Sequence, residues 1–132
     1  MALADILADH PDRESFDFAE LHRATQAASE AAIIAMAGAD SELGRDPVEM
    51  ATCIRKCIDA ADVCAVTAKL LARPAPRGHA WQKLVSACAA ICAETAEECG
   101  QHQHVSTLRC AEACRECEKA CQQLIAVSQP GA

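Results

Sequence analysis

Ten cysteines stand in one repeated register. From Cys110, steps of four, three and four residues give Cys110, Cys114, Cys117 and Cys121. The same steps give Cys88, Cys92, Thr95 and Cys99, and again Cys53, Cys57, Ala60 and Cys64. No cysteine lies outside these three sets, and the two vacancies hold small residues. Thiolates are soft ligands that select Cu(I), zinc or iron–sulfur clusters. CxxxC occurs four times, as Cys53/Cys57, Cys88/Cys92, Cys110/Cys114 and Cys117/Cys121. Two thiolates on successive turns can grip one Cu(I) or bridge neighbouring ions. A single buried cysteine is a small hydrophobe, but ten in one register exceed what packing asks for.

The register has meaning only on helices. An α-helix turns about 100° per residue, so steps of four, seven and eleven return a side chain to within about 40° of its start. Each set is therefore a narrow stripe, of the kind a bundle turns toward its centre. The composition agrees: alanine is abundant, β-branched runs are missing, and the aromatics are Trp81, Phe16 and Phe18 alone. That favours helix over sheet. Four helices are expected at about 15–37, 47–72, 80–99 and 106–127, as one domain spanning 1–132. Gly38 would end the first. Asp46 and Pro47 read as N-cap and first helical residue of the second. The segment RPAPRGH breaks the chain before the third, and Gly100 suits the C′ position after it. Ser106 reads as the N-cap of the fourth, which runs to the tail SQPGA. Residues before Pro11 read as a small extra helix or turn. The fold class is all-α, an antiparallel four-helix bundle with cysteines lining the core.

On the first helix the same period picks out His22, Thr25, Ser29, Ala32 and Met36, a cysteine-free face expected to turn inward. An up-and-down order would put Cys53, Cys99 and Cys110 at one end, near Met36, and Cys64, Cys88 and Cys121 at the other. His102 and His104, just past Cys99, are accessory ligand candidates, as are Met36 and His22. Glu94, Glu97, Glu98, Glu112, Glu116 and Glu118 read as a solvated outer face.

Other classes fit poorly. A net charge of −7 with no basic stripe argues against nucleic acid. No apolar run reaches the length of a membrane span. MALADILADHPDRES has no basic n-region, so no signal peptide is expected, and the default address is the cytosol, where thiols stay reduced. CxxC occurs once, as Cys114–Cys117, without the loop of a zinc ribbon or the βαβ setting of a thioredoxin. There is no phosphate loop, GxSxG or HExxH, so no enzyme is expected. Cysteines four apart on one helix are poorly aimed for a disulfide.

Three runs carry a resemblance. MATCIRKCIDAADVCAVTAKLLAR, SACAAICAETAEECGQHQH and RCAEACRECEKACQQ resemble the second, third and fourth helices of the cysteine-rich four-helix-bundle copper-storage proteins. The resemblance implies a cytosolic, often oligomeric bundle that holds many Cu(I) ions on inward cysteines, with histidines near an open end. His102 and His104 match that histidine-bearing segment. The family usually has cysteine at the positions of Ala60 and Thr95 and on its first helix, so a lower capacity is expected here. The leading expectation is a non-enzymatic protein that stores or sequesters Cu(I), as a homo-oligomer loaded by a copper chaperone. The alternative is an iron–sulfur protein with a ferredoxin-like redox role, since ten thiols suffice for two Cys₄ clusters.

Overall fold

Alanine and the unbranched side chains dominate the periodic segments, and each of those segments is helical. The computed structural model describes residues 2–74 and 78–128. In chain order it contains α1 (Ala2–Ala8), a 3-10 turn (Arg13–Ser15), α2 (Phe18–Leu43), α3 (Ala51–Leu71), α4 (His79–Cys99) and α5 (Val105–Ser128). No strand occurs among the described residues. α2 packs against α3 and α5, and α4 packs against the same two, so the four long helices close a ring. Cys53 meets Cys99 and Cys64 meets Cys88, which makes α3 and α4 antiparallel. Arg23 donates to Gln123 and Ser106 donates to Glu42, which makes α2 and α5 antiparallel. The fold is the expected four-helix bundle, with α1 resting on α2 and burying Leu7.

The boundaries differ from expectation where tertiary contacts override local signals. α2 starts at Phe18, later than 15, because Asp17 caps it by accepting from the Glu20 amide at 2.9 Å. α3 starts at Ala51, later than 47. Asp46 does cap, accepting from the Glu49 amide at 3.2 Å, but what it opens is a turn over 47–50. Gly100 follows α4 yet stays right-handed at φ −66°, so it is not the left-handed cap expected. α5 starts at Val105, and the Ser106 hydroxyl is directed to Glu42 instead of its own helix end. The proline-rich break and the C-terminal tail fall partly outside the described residues, at 75–77 and 129–132.

α2 also turns a different face inward. Ser29 and Met36 are exposed and His22 and Ala32 half-buried, so of the expected face Thr25 alone is buried. The buried face is Leu21, Ala24, Thr25, Ala28, Ala31, Ala35, Gly38, Ala39 and Glu42. It has the same three-and-four spacing, rotated around the helix. Alanine wins this face because a helix can come close only where its side chains are short.

That face carries α2 past Gly38 to Leu43. An ideal Cβ on Gly38 would lie 3.5 Å from the Ser106 carbonyl oxygen and 3.7 Å from Cys110 Cβ, which is ordinary contact. The next inward residue, Glu42, is 1% exposed. It accepts from His104 Nδ1 at 2.9 Å and from the Ser106 hydroxyl at 2.6 Å, with Arg45 Nε at 3.9 Å. These bonds fasten the last turn of α2 to the first turn of α5. Burial works against ionisation of Glu42, but Ser106, His104 and Arg45 outweigh it and hold the carboxyl below its ordinary 4.5.

Two predictions follow from this end of the bundle. Gly38→Ala has room for its methyl and removes unfolded-chain freedom, so it is expected to raise stability by about 0.5–1 kcal/mol in urea unfolding of reduced protein. Glu42→Gln is expected to lower stability at pH 7 by about 1–3 kcal/mol. Because the folded carboxyl titrates low, its contribution is present above pH 4.5 and fades as pH falls through the lower folded value. The gap between wild type and E42Q therefore closes in acid; a gap that persists below that range contradicts the assignment.

Candidate metal centre

All ten cysteines are free and buried. They come from α3, α4 and α5, one stripe from each, and meet on the bundle axis. At one end Cys53 Sγ lies 3.3 Å from Cys99 Sγ, Cys57 lies 3.4 Å from Cys99, and Cys57 lies 3.5 Å from Cys110. At the other end Cys64 lies 3.8 Å from Cys88, 3.4 Å from Cys92 and 3.9 Å from Cys117. Cys88 and Cys121 each approach Cys117 to 3.9 Å. Two compact groups stand out, with sulfurs all within 4.8 Å of one another: Cys53, Cys57 and Cys99, then Cys64, Cys88, Cys92 and Cys117. The ends follow the antiparallel order. The middle is staggered, so that Cys57 faces Cys110.

The two vacancies in the register are buried. Ala60 is fully enclosed on α3, and Thr95 on α4 donates its hydroxyl to the Lys56 carbonyl of α3 at 3.1 Å. The other buried threonines, Thr25, Thr67 and Thr107, bond to a carbonyl three or four residues back in their own segment. Thr95 instead ties two helices together where a cysteine would otherwise add a sulfur.

The thiols satisfy one another, and their acidities separate as a result. Cys53 is drawn down to about 4, first by its hydrogen bond with Cys57, then by that with Cys99, with nearby His102 helping. Cys117 is drawn down to about 5 by its bonds with Cys121 and Cys64. Cys88, bonded to Cys117 and Cys121, and Cys110, bonded to Cys114 and Cys57, are also drawn down. Cys57, Cys64, Cys92, Cys99, Cys114 and Cys121 are pushed up, because each spends its proton on a neighbouring sulfur. The array thus sorts into sulfurs favoured as acceptors and sulfurs favoured as donors. A soft cation entering it displaces thiol protons as it binds.

The accessory candidates divide. His102 Nε2 is 3.0 Å from Glu98 Oε2, and the ring is close enough to Cys53 to favour its thiolate. His104 is 37% exposed and held by Glu42. Both histidines therefore sit at the Cys53/Cys99 end, each backed by a carboxylate. Such a partner fixes the orientation of the ring. Met36 is 45% exposed at the surface, against the expectation that it faces the sulfurs. His22 stacks on Phe18 at 5.9 Å and joins neither thiol group. Glu98 and Glu118 are each only 20% exposed, so they depart from the solvated face on which Glu94 and Glu97 do lie.

Glu42 was not legible as part of this end. Its signal was available, since residues 35, 38/39 and 42 continue the small-residue face of α2. The far end is closed by apolar side chains: Leu21, Leu71, Val85 and Leu124 are all buried beyond the last sulfurs, and the first, second and fourth line one common cavity.

Known proteins share this fold. A copper storage protein, Ccsp, from Streptomyces lividans, described as loaded with 10 copper equivalents, superposes with a TM-score of 0.89 at 36% identity, over 94% of this chain and 98% of that one. A structure of a cytosolic copper storage protein from the same organism, with five coppers, gives 0.77 at 37% identity, over 81% and 92%. An uncharacterized cysteine-rich protein of Bacillus subtilis, YhjQ, is 32% identical over 74 residues, or 56% of this chain and 66% of its own length. The copper storage protein family, Csp, matches residues 18–126, from the first residue of α2 nearly to the end of α5. The chain is a member of the copper storage protein family.

Proposed function

We propose that this protein stores Cu(I) on the ten core thiols. The observation that carries the reading is the pair of buried all-sulfur groups, with neighbouring sulfurs 3.3–3.9 Å apart. A metal–thiolate bond of about 2.3 Å lets one ion bridge two sulfurs up to about 4.6 Å apart, so the spacing suits single ions held between neighbours. Each Cu(I) that replaces a thiol proton leaves the net charge of the core unchanged. A divalent ion would need a second proton to leave, or would strand charge in a low-dielectric interior. That balance supports Cu(I) over zinc. An iron–sulfur cluster has less support, because its inorganic core would have to push apart sulfurs that now touch.

His102 and His104 are proposed as accessory ligands at the entry, because they flank the sulfur end not sealed by leucine. The S. lividans relative is described as cytosolic, and the same location is proposed here, where reduced thiols persist. No helix among the described residues is long and apolar enough to cross a membrane. A copper chaperone is proposed as the donor at the histidine end. Ile33, Met36 and Leu43 leave apolar surface on one side of α2, which supports association with a second copy.

Titration of the reduced protein with Cu(I) against a competing chelator is expected to give several tight equivalents and ultraviolet Cu–thiolate absorption without visible colour. Less than one tight equivalent overturns the storage reading, and a brown protein after anaerobic isolation overturns it in favour of iron–sulfur. Because a thiol must lose its proton to ligate, filling is expected to release protons in unbuffered solution. Cu(I) affinity is then expected to fall as pH is lowered; binding without proton release contradicts this.

A further inference from the structure

The sulfur array is interrupted on two of its three walls. From Cys57 to Cys64 the α3 axis advances about 10 Å, and from Cys99 to Cys92 the α4 axis does the same. Ala60 and Thr95 fall inside those intervals, both buried and neither carrying sulfur. An ion cannot be shared across such a gap if its two sulfurs must lie within about 4.6 Å. Only α5 carries a sulfur at this level. Cys114 lies about 6 Å of helix rise from Cys110 and about 4.5 Å from Cys117. It stands between Cys110 and Cys92, the two thiols whose acidity it affects most. Yet it belongs to neither compact group.

The two ends of the array are also unequal. Beyond Cys64, Cys88 and Cys121 stand the buried apolar side chains of Leu71, Val85 and Leu124. Beyond Cys53 and Cys99 stand the two histidines and their carboxylates. Cys57 is the one cysteine with measurable exposure, at 2%. Ions therefore arrive at the Cys53/Cys57/Cys99 group, and the Cys64/Cys88/Cys92/Cys117 group lies behind the gap.

We propose that Ala60 and Thr95 divide the core into an outer and an inner Cu(I) compartment, and that Cys114 is the thiol through which ions pass between them. This rests on the copper reading above. The passage is ligand exchange without redox change. A Cu–S bond to Cys114 forms as the bond to Cys110 breaks, and the Cys114 proton passes to the departing Cys110 thiolate. The second step repeats this toward Cys92, whose proton returns to Cys114. Copper stays Cu(I), and each proton moves opposite to the ion. Thr95, by fixing α4 to the Lys56 carbonyl, holds the divide closed to any route other than α5.

The test is anaerobic stopped-flow loading of reduced protein from a weak Cu(I) chelator, followed by Cu–thiolate absorption, with native mass spectrometry counting ions. Wild type is expected to fill in two phases, outer then inner. Cys114→Ala is expected to keep the fast phase and slow the second by at least about tenfold. Cys121→Ala removes one thiol at the blind end and is expected to lose capacity without losing rate. Thr95→Cys placed on the Cys114→Ala background is expected to restore the second phase. If circular dichroism shows Cys114→Ala misfolded, the nearly isosteric Cys114→Ser is read the same way. A Cys114 variant that fills both phases at the wild-type rate, or loses only end-point capacity as Cys121→Ala does, overturns the divide and leaves storage intact. A wild type that takes up less than one tight equivalent overturns the storage reading instead.

Discussion

A thiol is a short side chain, and a core of thiols holds together only if the helices carrying it come close. This requirement runs through the whole bundle. α3, α4 and α5 meet at sulfur–sulfur distances of 3.3–3.9 Å. α2 has no cysteine to contribute, and it meets the condition with alanine. Ala24, Ala28, Ala31 and Ala35 are all fully buried. Leucine on that face would hold α2 off its neighbours and open a void around the sulfurs. Large apolar side chains gather at the far end, where Leu21, Leu71, Val85 and Leu124 take the place that leucine holds along the whole length of a conventional bundle.

Close sulfur packing also settles the polar accounts of the interior. Buried thiols are weak donors and acceptors, and here each finds another thiol. The acidities of the ten groups are then set by neighbours more than by burial, which alone would push every one of them up. The same contacts that keep the empty core satisfied are the contacts across which an ion would bind. Stability without metal and affinity for metal thus draw on one set of distances.

Much of this was legible in the sequence. Ten cysteines at steps of four, three and four announce three inward stripes, and α3, α4 and α5 are where the stripes predict them, because nothing but a helix makes that spacing one face. The first long helix was read with the right period and the wrong face. His22, Thr25, Ser29, Ala32 and Met36 attracted attention for their chemistry, whereas the bundle selects for size, and the alanines one position around were the better guide. Gly38 reads as a stop in isolation and is overruled because Glu42, one turn on, has His104 and Ser106 to bind. Such a partner lies more than sixty residues away, and local sequence carries no trace of it. Asp46 and Gly100 misled by smaller amounts, each marking a turn correctly and its conformation incorrectly.

The cysteine-free helix has a positive role in this arrangement. Its last turn supplies Glu42 to the histidine end, and its first turns supply Leu21 to the blind end. α2 therefore makes the two ends of the sulfur column different while leaving the column itself to the other three helices. A bundle with cysteine on all four helices could hold more metal, but it would need another source for that polarity. Here carboxylate and imidazole stand over the sulfurs at one end, whereas buried leucines lie over them at the other, so a cation meets a desolvation barrier there. Direction along the axis is set by what surrounds the thiols, and the thiols are left free to be alike.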